Sequence, residues 1–341
     1  MFDNFHGNSH VVDTLEQLVA QGRIPQSILL AGPEGVGKGT LVRRFAARLL
    51  GDAEKIEADD LSLPHNTSII ADREKWPADK RVEDPLLFSS HPDFVTFPPD
   101  GPLRQISIQQ MRILKERAQY KPLRGDRRIF LIDHIDRANE QAANSLLKTL
   151  EEPPDHLIIF LTAENAYDLL PTIRSRSVPF QMAPLSLDEM HAFAHTRKLT
   201  DVERRVRLAA GSPGIAVSLD LAAYDKRREA MLALLEAASN TAPFARWAKY
   251  SESIGASKSE KLEFYLKVLY MLLEDVVLLQ NNQDEVRNID VRKDLEPIAN
   301  RVSFDWIRAA VSQTDELIEL LRRNIQKSIA LDALVVSLQA R

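Results

Sequence analysis

The sequence has no cysteine among its 341 residues, which excludes disulfide bonds and any zinc site built on thiolates. Nor does any hydrophobic run approach the ~18–20 apolar residues that a membrane-spanning helix needs. The first residues, Met1-Phe2-Asp3-Asn4-Phe5-His6, carry neither the basic nor the apolar stretch of a secretory signal. A cytoplasmic protein with no membrane partner is therefore expected. The eight histidines are scattered without a ligand pair, so no metal site is expected. A formal net charge of −5 argues against a chain that coats DNA wholesale, while leaving room for a local basic face. What is present is ordinary for a globular protein, 44% hydrophobic and 27% charged residues, and the length suits two or three domains.

Against that background one stretch stands out: Gly32-Pro33-Glu34-Gly35-Val36-Gly37-Lys38-Gly39-Thr40. It follows a short apolar run, Ser27-Ile28-Leu29-Leu30-Ala31, and precedes a helical pattern through Leu41, Phe45, Ala46 and Leu49. Strand, glycine-rich loop and helix is the setting a phosphate-binding loop requires. Glycines let successive backbone N–H groups curl around a phosphate, and the helix N-terminus adds partial positive charge. Gly32 to Lys38 match G-x-x-x-x-G-K, which places Lys38 to reach β- and γ-phosphates. The next position, where a Ser or Thr hydroxyl binds Mg²⁺, is Gly39, and the hydroxyl arrives one place late on Thr40. The expectation is a phosphate loop by descent that lacks its metal ligand, with ATP or ADP as the nucleotide of a degenerate site.

Residues 8–22 read as a helix with Val11, Val12, Leu15, Leu18 and Val19 on one face, ended by Arg23-Ile24-Pro25. After the loop's helix, residues 51–92 are polar and irregular, with Pro64, Pro77 and Pro85 and no sustained period. They read as an insertion or a loosely ordered excursion. Asp93 to Phe97 is a second strand, and Ile106 to about Tyr120 a helix. Basic residues gather from here on: Arg104, Arg112, Lys115, Arg117, Lys121, Arg124, Arg127 and Arg128. A solvated helix face and a charged turn account for them, and a surface facing a phosphate backbone is the alternative. Tyr120 is the one aromatic among them, so nothing suggests base stacking.

Arg128 to Asp133 is a buried strand ending in a carboxylate, where P-loop proteins place an Asp that supports Mg²⁺. His134 comes next, and Asp136, two further along, is expected to face elsewhere. Asn139 to Leu150 is a helix packed through Ala142, Leu146, Leu147 and Leu150, ended by Pro153-Pro154. Leu157 to Thr162 is another buried strand. Thr162 stands where a γ-phosphate sensor sits, and a plain strand-end threonine fits equally well. Pro171-Thr172-Ile173-Arg174-Ser175-Arg176-Ser177 then leads into a last strand, Val178 to Met182. Strands alternating with helices make a parallel five-stranded sheet covered on both faces, an α/β P-loop domain.

From Arg128 to Ser177 the sequence resembles the clamp-loader branch of the AAA+ proteins. Ala143-Asn144-Ser145-Leu146-Leu147-Lys148-Thr149-Leu150-Glu151-Glu152-Pro153-Pro154 is similar to that branch's most recognisable helix, and Ser175-Arg176-Ser177 to its Ser-Arg-Cys motif. His91-Pro92-Asp93 and Ile106-x-Ile108-x-x-Met111-Arg112 resemble the delta prime family of bacterial DNA polymerase III subunits. The resemblance implies that Arg176 is an arginine finger acting in trans on ATP held by a neighbour. It implies partners as well: the gamma/tau ATPase subunits and the delta subunit in a hetero-pentameric ring, the sliding clamp, and primed DNA through the assembly. ATP-hydrolysing AAA+ members carry Glu where this chain has His134, whose imidazole differs from a carboxylate in shape and charge. The second sensor's arginine is likewise replaced, by Gly214 in Gly211-Ser212-Pro213-Gly214. Loss of the chain's own ATP hydrolysis follows as an expectation, and the family's four-cysteine zinc module is excluded.

After Pro184 helices take over. Ser186-x-x-Glu189 and Thr200-x-x-Glu203 read as capping boxes, and Ala216 to Leu235 as a helical stretch. Ser239-Asn240-Thr241-Ala242-Pro243 is a linker. Ser257-x-x-Glu260 caps a helix carrying Leu262, Leu266, Leu269 and Leu273, and Phe304 to Leu321 and Ile325 to Leu338 are amphipathic. Ile329, Leu331, Leu334 and Val335 suit an internal core or a collar between subunits. The expected organisation is an AAA+ P-loop domain over 1–184, a small helical lid over 185–238 and an all-α collar domain over 243–341.

Overall fold

A computed structural model describes residues 5–256, 261–283, 285–321 and 326–340. The chain packs into two compact units, Met1–Thr200 with Gly211–Val217, and Asp201–Ala210 with Ser218–Arg341.

The first unit is built on five parallel strands, β1 (Ser27–Ala31), β2 (Phe94–Phe97), β3 (Arg128–Ile132), β4 (Leu157–Ala163) and β5 (Val178–Gln181), in the order β2-β3-β4-β1-β5. Around them lie α1 (Ser9–Ala20), α2 (Lys38–Leu50), α3 (Ala53–Glu57), α4 (Pro64–Arg73), α5 (Ala78–Glu83), α6 (Ile108–Ala118), α7 (Glu140–Glu151), α8 (Pro171–Arg174) and α9 (Leu187–Thr196). Every residue of β1, β3 and β4 is buried, so their apolar runs are continuous rather than alternating. The alternation appears in which core each residue joins. Leu29, Phe130, Ile132, Ile159 and Leu161 meet Met111, Leu114, Leu146 and Leu150 on one face. Ile28, Leu30, Ile129, Leu131, Ile158 and Phe160 meet Val11, Leu15, Leu41, Val42 and Phe45 on the other. Edge strand β5 carries Pro179, whose missing N–H is tolerated only at a sheet's margin.

Of its two readings, an insertion or a loosely ordered excursion, segment 51–92 follows the ordered one. It forms α3, α4 and α5, with Pro64 at the first turn of α4, where a missing N–H costs nothing. Two buried arginines organise it. Arg43 of α2 binds Glu57 at 2.9 Å and Asp60 at 2.5 Å. Arg73 donates to both carboxylate oxygens of Asp100, at 3.0 and 2.7 Å, and to the Asp84 carbonyl. A small apolar cluster of Ile70, Leu86 and Phe88 joins them, and Ile56 of α3 is buried in the core beneath the sheet. A segment held by ion pairs has no hydrophobic period to read.

Helices α10 (Val202–Ala209), α11 (Pro213–Ser218), α12 (Leu221–Ala238), α13 (Phe244–Ala256), α14 (Leu262–Gln280), α15 (Arg292–Arg301), α16 (Phe304–Leu321) and α17 (Lys327–Gln339) complete the chain. The Ser186–Glu189 capping box forms as expected. Helix α10 starts from Asp201, which holds a left-handed conformation and makes no side-chain cap of its own. The stretch 216–235 is two helices rather than one, because Asp220 accepts from the Ala223 N–H at 3.0 Å and opens a new N-terminus at α12. The second unit's core draws on α12, α14, α16 and α17, with Trp247 fully buried among them. Leu331, Leu334 and Val335 are buried there, whereas Ile329 is exposed. The Ser257–Glu260 box and Ile325 lie outside the described residues.

Candidate nucleotide site

The site sits at the carboxyl ends of β1, β3 and β4, where parallel α/β sheets open their crevices. Gly32 to Gly37 leave β1 and turn into α2. Gly37 caps that helix with a φ of 102°, a conformation that L side chains rarely adopt. Lys38 is 6% exposed, and its Nζ donates to the Gly32 carbonyl at 2.5 Å and the Pro33 carbonyl at 2.8 Å. Burial lowers its pKa, against the raising effect of Asp133, Glu164, Asp136 and Glu34. The lysine is thus held by carbonyls of the loop it belongs to.

Gly35 has a φ of 79°, and its carbonyl accepts from the Gly214 N–H at 2.8 Å. A Cβ on Gly214 would come within 3.1 Å of the Gly35 Cα and carbonyl oxygen. The segment where Gly214 replaces the sensor arginine therefore packs closely on the phosphate loop, backbone against backbone at Gly214 and with Ser212 and Ile215 beside Gly35. Gly39 offers no ligand, and Thr40 does not replace one: its hydroxyl lies 3.4 Å from Arg43 Nη2, its donor. Glu34 lines a cavity of about 230 Å³ together with Asp133, His134, Arg104 and Arg137.

Asp133 and Thr162 meet at the strand ends. The Thr162 hydroxyl donates to Asp133 Oδ1 at 2.7 Å and accepts from the His134 N–H at 2.8 Å. His134 has a φ of 55°, and a short 3₁₀ turn, Ile135–Arg137, follows. That turn folds Asp136 back, so the expectation that it faces elsewhere is wrong: its Oδ1 is 3.9 Å from His134 Nδ1. Both atoms are buried without a hydrogen-bond partner. Burial raises the pKa of Asp136 above the ordinary carboxylate range. His134, Asp136 and Glu164 bring one donor atom each within 4.8 Å, and Arg137 lies 3.7 Å from Glu164. Sequence reading missed Glu164, whose only signal is its place just beyond β4. Gly39 supplies no hydroxyl beside Lys38, whereas Asp133 keeps its Oδ2 beyond the bond that Oδ1 makes to Thr162, so what the loop lacks is the one ligand at position 39.

Arg176 lies on the turn before β5. Its Nη1 donates to the Thr172 carbonyl at 2.9 Å and to Ser175 Oγ at 3.3 Å, and its Nη2 meets Glu151 Oε1 at 2.6 Å. None of these contacts is with the loop or with Asp133. The basic stretch is partly structural. Arg128 is buried and donates to three carbonyls, Arg104 pairs with Glu74 at 2.7 Å, and Arg127 reaches the Asp155 carbonyl.

A P-loop after the first strand, an Asp at the end of β3 and a threonine at the end of β4, all on this sheet order, define an AAA+-type domain. The chain belongs to the family described as DNA polymerase III, delta subunit, whose sequence model matches residues 7–186. Among curated relatives it is 30% identical over 193 residues to the DNA polymerase III subunit gamma of Buchnera aphidicola (subspecies Acyrthosiphon pisum), covering 56% of this chain and 48% of that one. It is 32% identical over 180 residues to the gamma/tau subunit of Mycobacterium bovis, covering 52% of this chain and 28% of that one. With the Escherichia coli K12 subunit delta prime it shares 28% identity over 237 residues, 68% and 69% of the two chains. The chain thus spans about half of the gamma relative's length and less of the gamma/tau relative's. Among solved structures, a gamma subunit-related protein from Thermotoga maritima matches at 20% identity over 96% of this chain and 99% of that one, with a TM-score of 0.44. No helix among the described residues is long and apolar enough to cross a membrane.

Proposed function

We propose that this chain acts as the delta prime subunit of a bacterial replicative clamp loader. It is a stator in a hetero-pentameric ring with gamma/tau ATPase subunits and a delta subunit. The ring loads the sliding clamp on primed DNA in the cytoplasm. Within it this chain supplies Arg176 to ATP bound next door, and its own P-loop holds ATP or ADP without hydrolysing it. The reading divides the chain into a P-loop domain over 1–184, a lid over 185–238 and a collar over 243–341.

The observation that carries the proposal is a pairing of loss and retention. Gly39 and His134 stand where a metal ligand and a water-activating Glu belong, while Arg176 remains on the turn before the last strand. The delta prime relative also covers more of both chains than the gamma relatives do. In a reconstituted loader, Arg176→Ala slows ATP hydrolysis by the partner subunits about 10³-fold or more and leaves the ring assembled. Unchanged turnover in an intact ring would sink the assignment. The gamma and gamma/tau likenesses favour a second reading, a self-sufficient ATPase. Robust ATP turnover by this chain alone, abolished by Lys38→Ala, selects it.

A further inference from the structure

We infer that Glu151, the last residue of α7, is the positioning residue that aims Arg176. The inference rests on the reading of Arg176 as a group that acts across a subunit boundary. It concerns how a long, flexible side chain is kept ready for a partner's phosphate.

The contacts divide into two kinds. Thr172 and Ser175 belong to the same turn as Arg176, so they tie the arginine only to its own surroundings. Glu151 comes from a separate element, and its carboxylate meets Nη2 at 2.6 Å. Both ends of this pair are mounted on one core. Leu146 and Leu150 anchor the end of α7, Leu169 and Ile173 anchor the segment of α8, and all four are buried in the same cluster. Pro153 and Pro154 follow at once and prevent α7 from continuing. The geometry between the two side chains is therefore set by the fold, not by the side chains alone.

Stability does not account for Glu151. A carboxylate in the last turn faces the negative end of the helix dipole, where a cation is favoured. The pair is also half-exposed, with side chains 32% and 47% accessible, and such ion pairs add little to a fold. What the pair does accomplish is to remove rotamer freedom from an arginine before any partner arrives. A guanidinium has five N–H donors in a fixed plane. Bonds on one side to Glu151 and Thr172 leave the exposed part of that plane for an anion from outside. Preorganisation of this kind raises a rate without adding a contact to the reacting group.

The test uses the full chain in a loader reconstituted with its own partner subunits. Glu151→Ala lowers the kcat of partner ATP hydrolysis by about tenfold to a hundredfold with the KM for ATP unchanged. Glu151→Gln, which still accepts a hydrogen bond, keeps most of the activity, and Glu151→Lys, which repels the guanidinium, loses it. In a loader already carrying Arg176→Ala, Glu151→Ala has no further effect. Full turnover with Glu151→Ala, where Arg176→Ala is impaired, overturns the inference, as does a further loss in the double variant. If Arg176→Ala itself turns over at the normal rate, the finger reading falls and this inference falls with it. Thermal melts of each variant matching the parent separate aim from folding.

Discussion

Thr162 offers the sharpest check on how the site is built. Replacing it with valine keeps the volume and removes one hydroxyl from a position with no solvent exposure. Two hydrogen bonds go with it, the 2.7 Å bond to the Asp133 carboxylate and the 2.8 Å bond from the His134 N–H. A hydrogen bond to a charged group is worth about 1.5–3 kcal/mol, and a buried N–H left without an acceptor costs about 1–3 kcal/mol. Asp133 keeps 17% of its side chain in solvent, so water restores part of its share. The sum comes to about 2–4 kcal/mol, which is roughly 30-fold to 1,000-fold in the opening equilibrium. Hydrogen exchange in peptides covering 128–135 and 157–163 measures that opening directly. Thr162→Ser serves as the control, because it keeps the hydroxyl and loses only a methyl worth about 1 kcal/mol. Parent-like exchange in Thr162→Val would show that the hydroxyl does not bridge the two strand ends. The proposed scaffold for Asp133 would then be wrong.

Two further predictions concern charge. Arg73→Ala leaves Asp100, 7% exposed at its side chain, without its partner, and destabilises the 51–92 segment by about 3–5 kcal/mol. Limited proteolysis reads this as new cleavage between 60 and 92, and parent-like resistance would show that the ion pair does not hold the segment. At Asp136 the sign follows from burial, which raises the folded carboxyl's pKa. The folded chain then binds a proton more readily than the unfolded one. The group's contribution to stability is greatest below its unfolded value near pH 4 and falls as pH rises through the folded value. Asp136→Asn is accordingly more stable than the parent at pH 7 and not at pH 3. Equal urea midpoints at pH 7 would contradict this.

Much of the first unit could be read directly. The runs 28–31, 129–132 and 157–161 are apolar throughout because both faces of the sheet are covered. The phosphate loop was legible because its chemistry is local, with glycines, a lysine and the start of a helix adjoining in sequence. Segment 51–92 escaped for the opposite reason. Its order comes from Arg43 and Arg73 meeting carboxylates up to 27 residues away, and ion pairs leave no period to detect. The break at Asp220 is a choice among neighbouring polar residues able to cap, which packing resolves.

The site divides along the same line. Sequence by itself determined which groups are present: Lys38 without a hydroxyl beside it, Asp133 followed by histidine, and an arginine ahead of the last strand. Tertiary structure decided what those groups face. It committed Thr162 to Asp133 and set Glu151 against Arg176. Residue identity is a property of the chain, whereas a contact across 25 or more residues exists only once the strands and helices that carry it have packed.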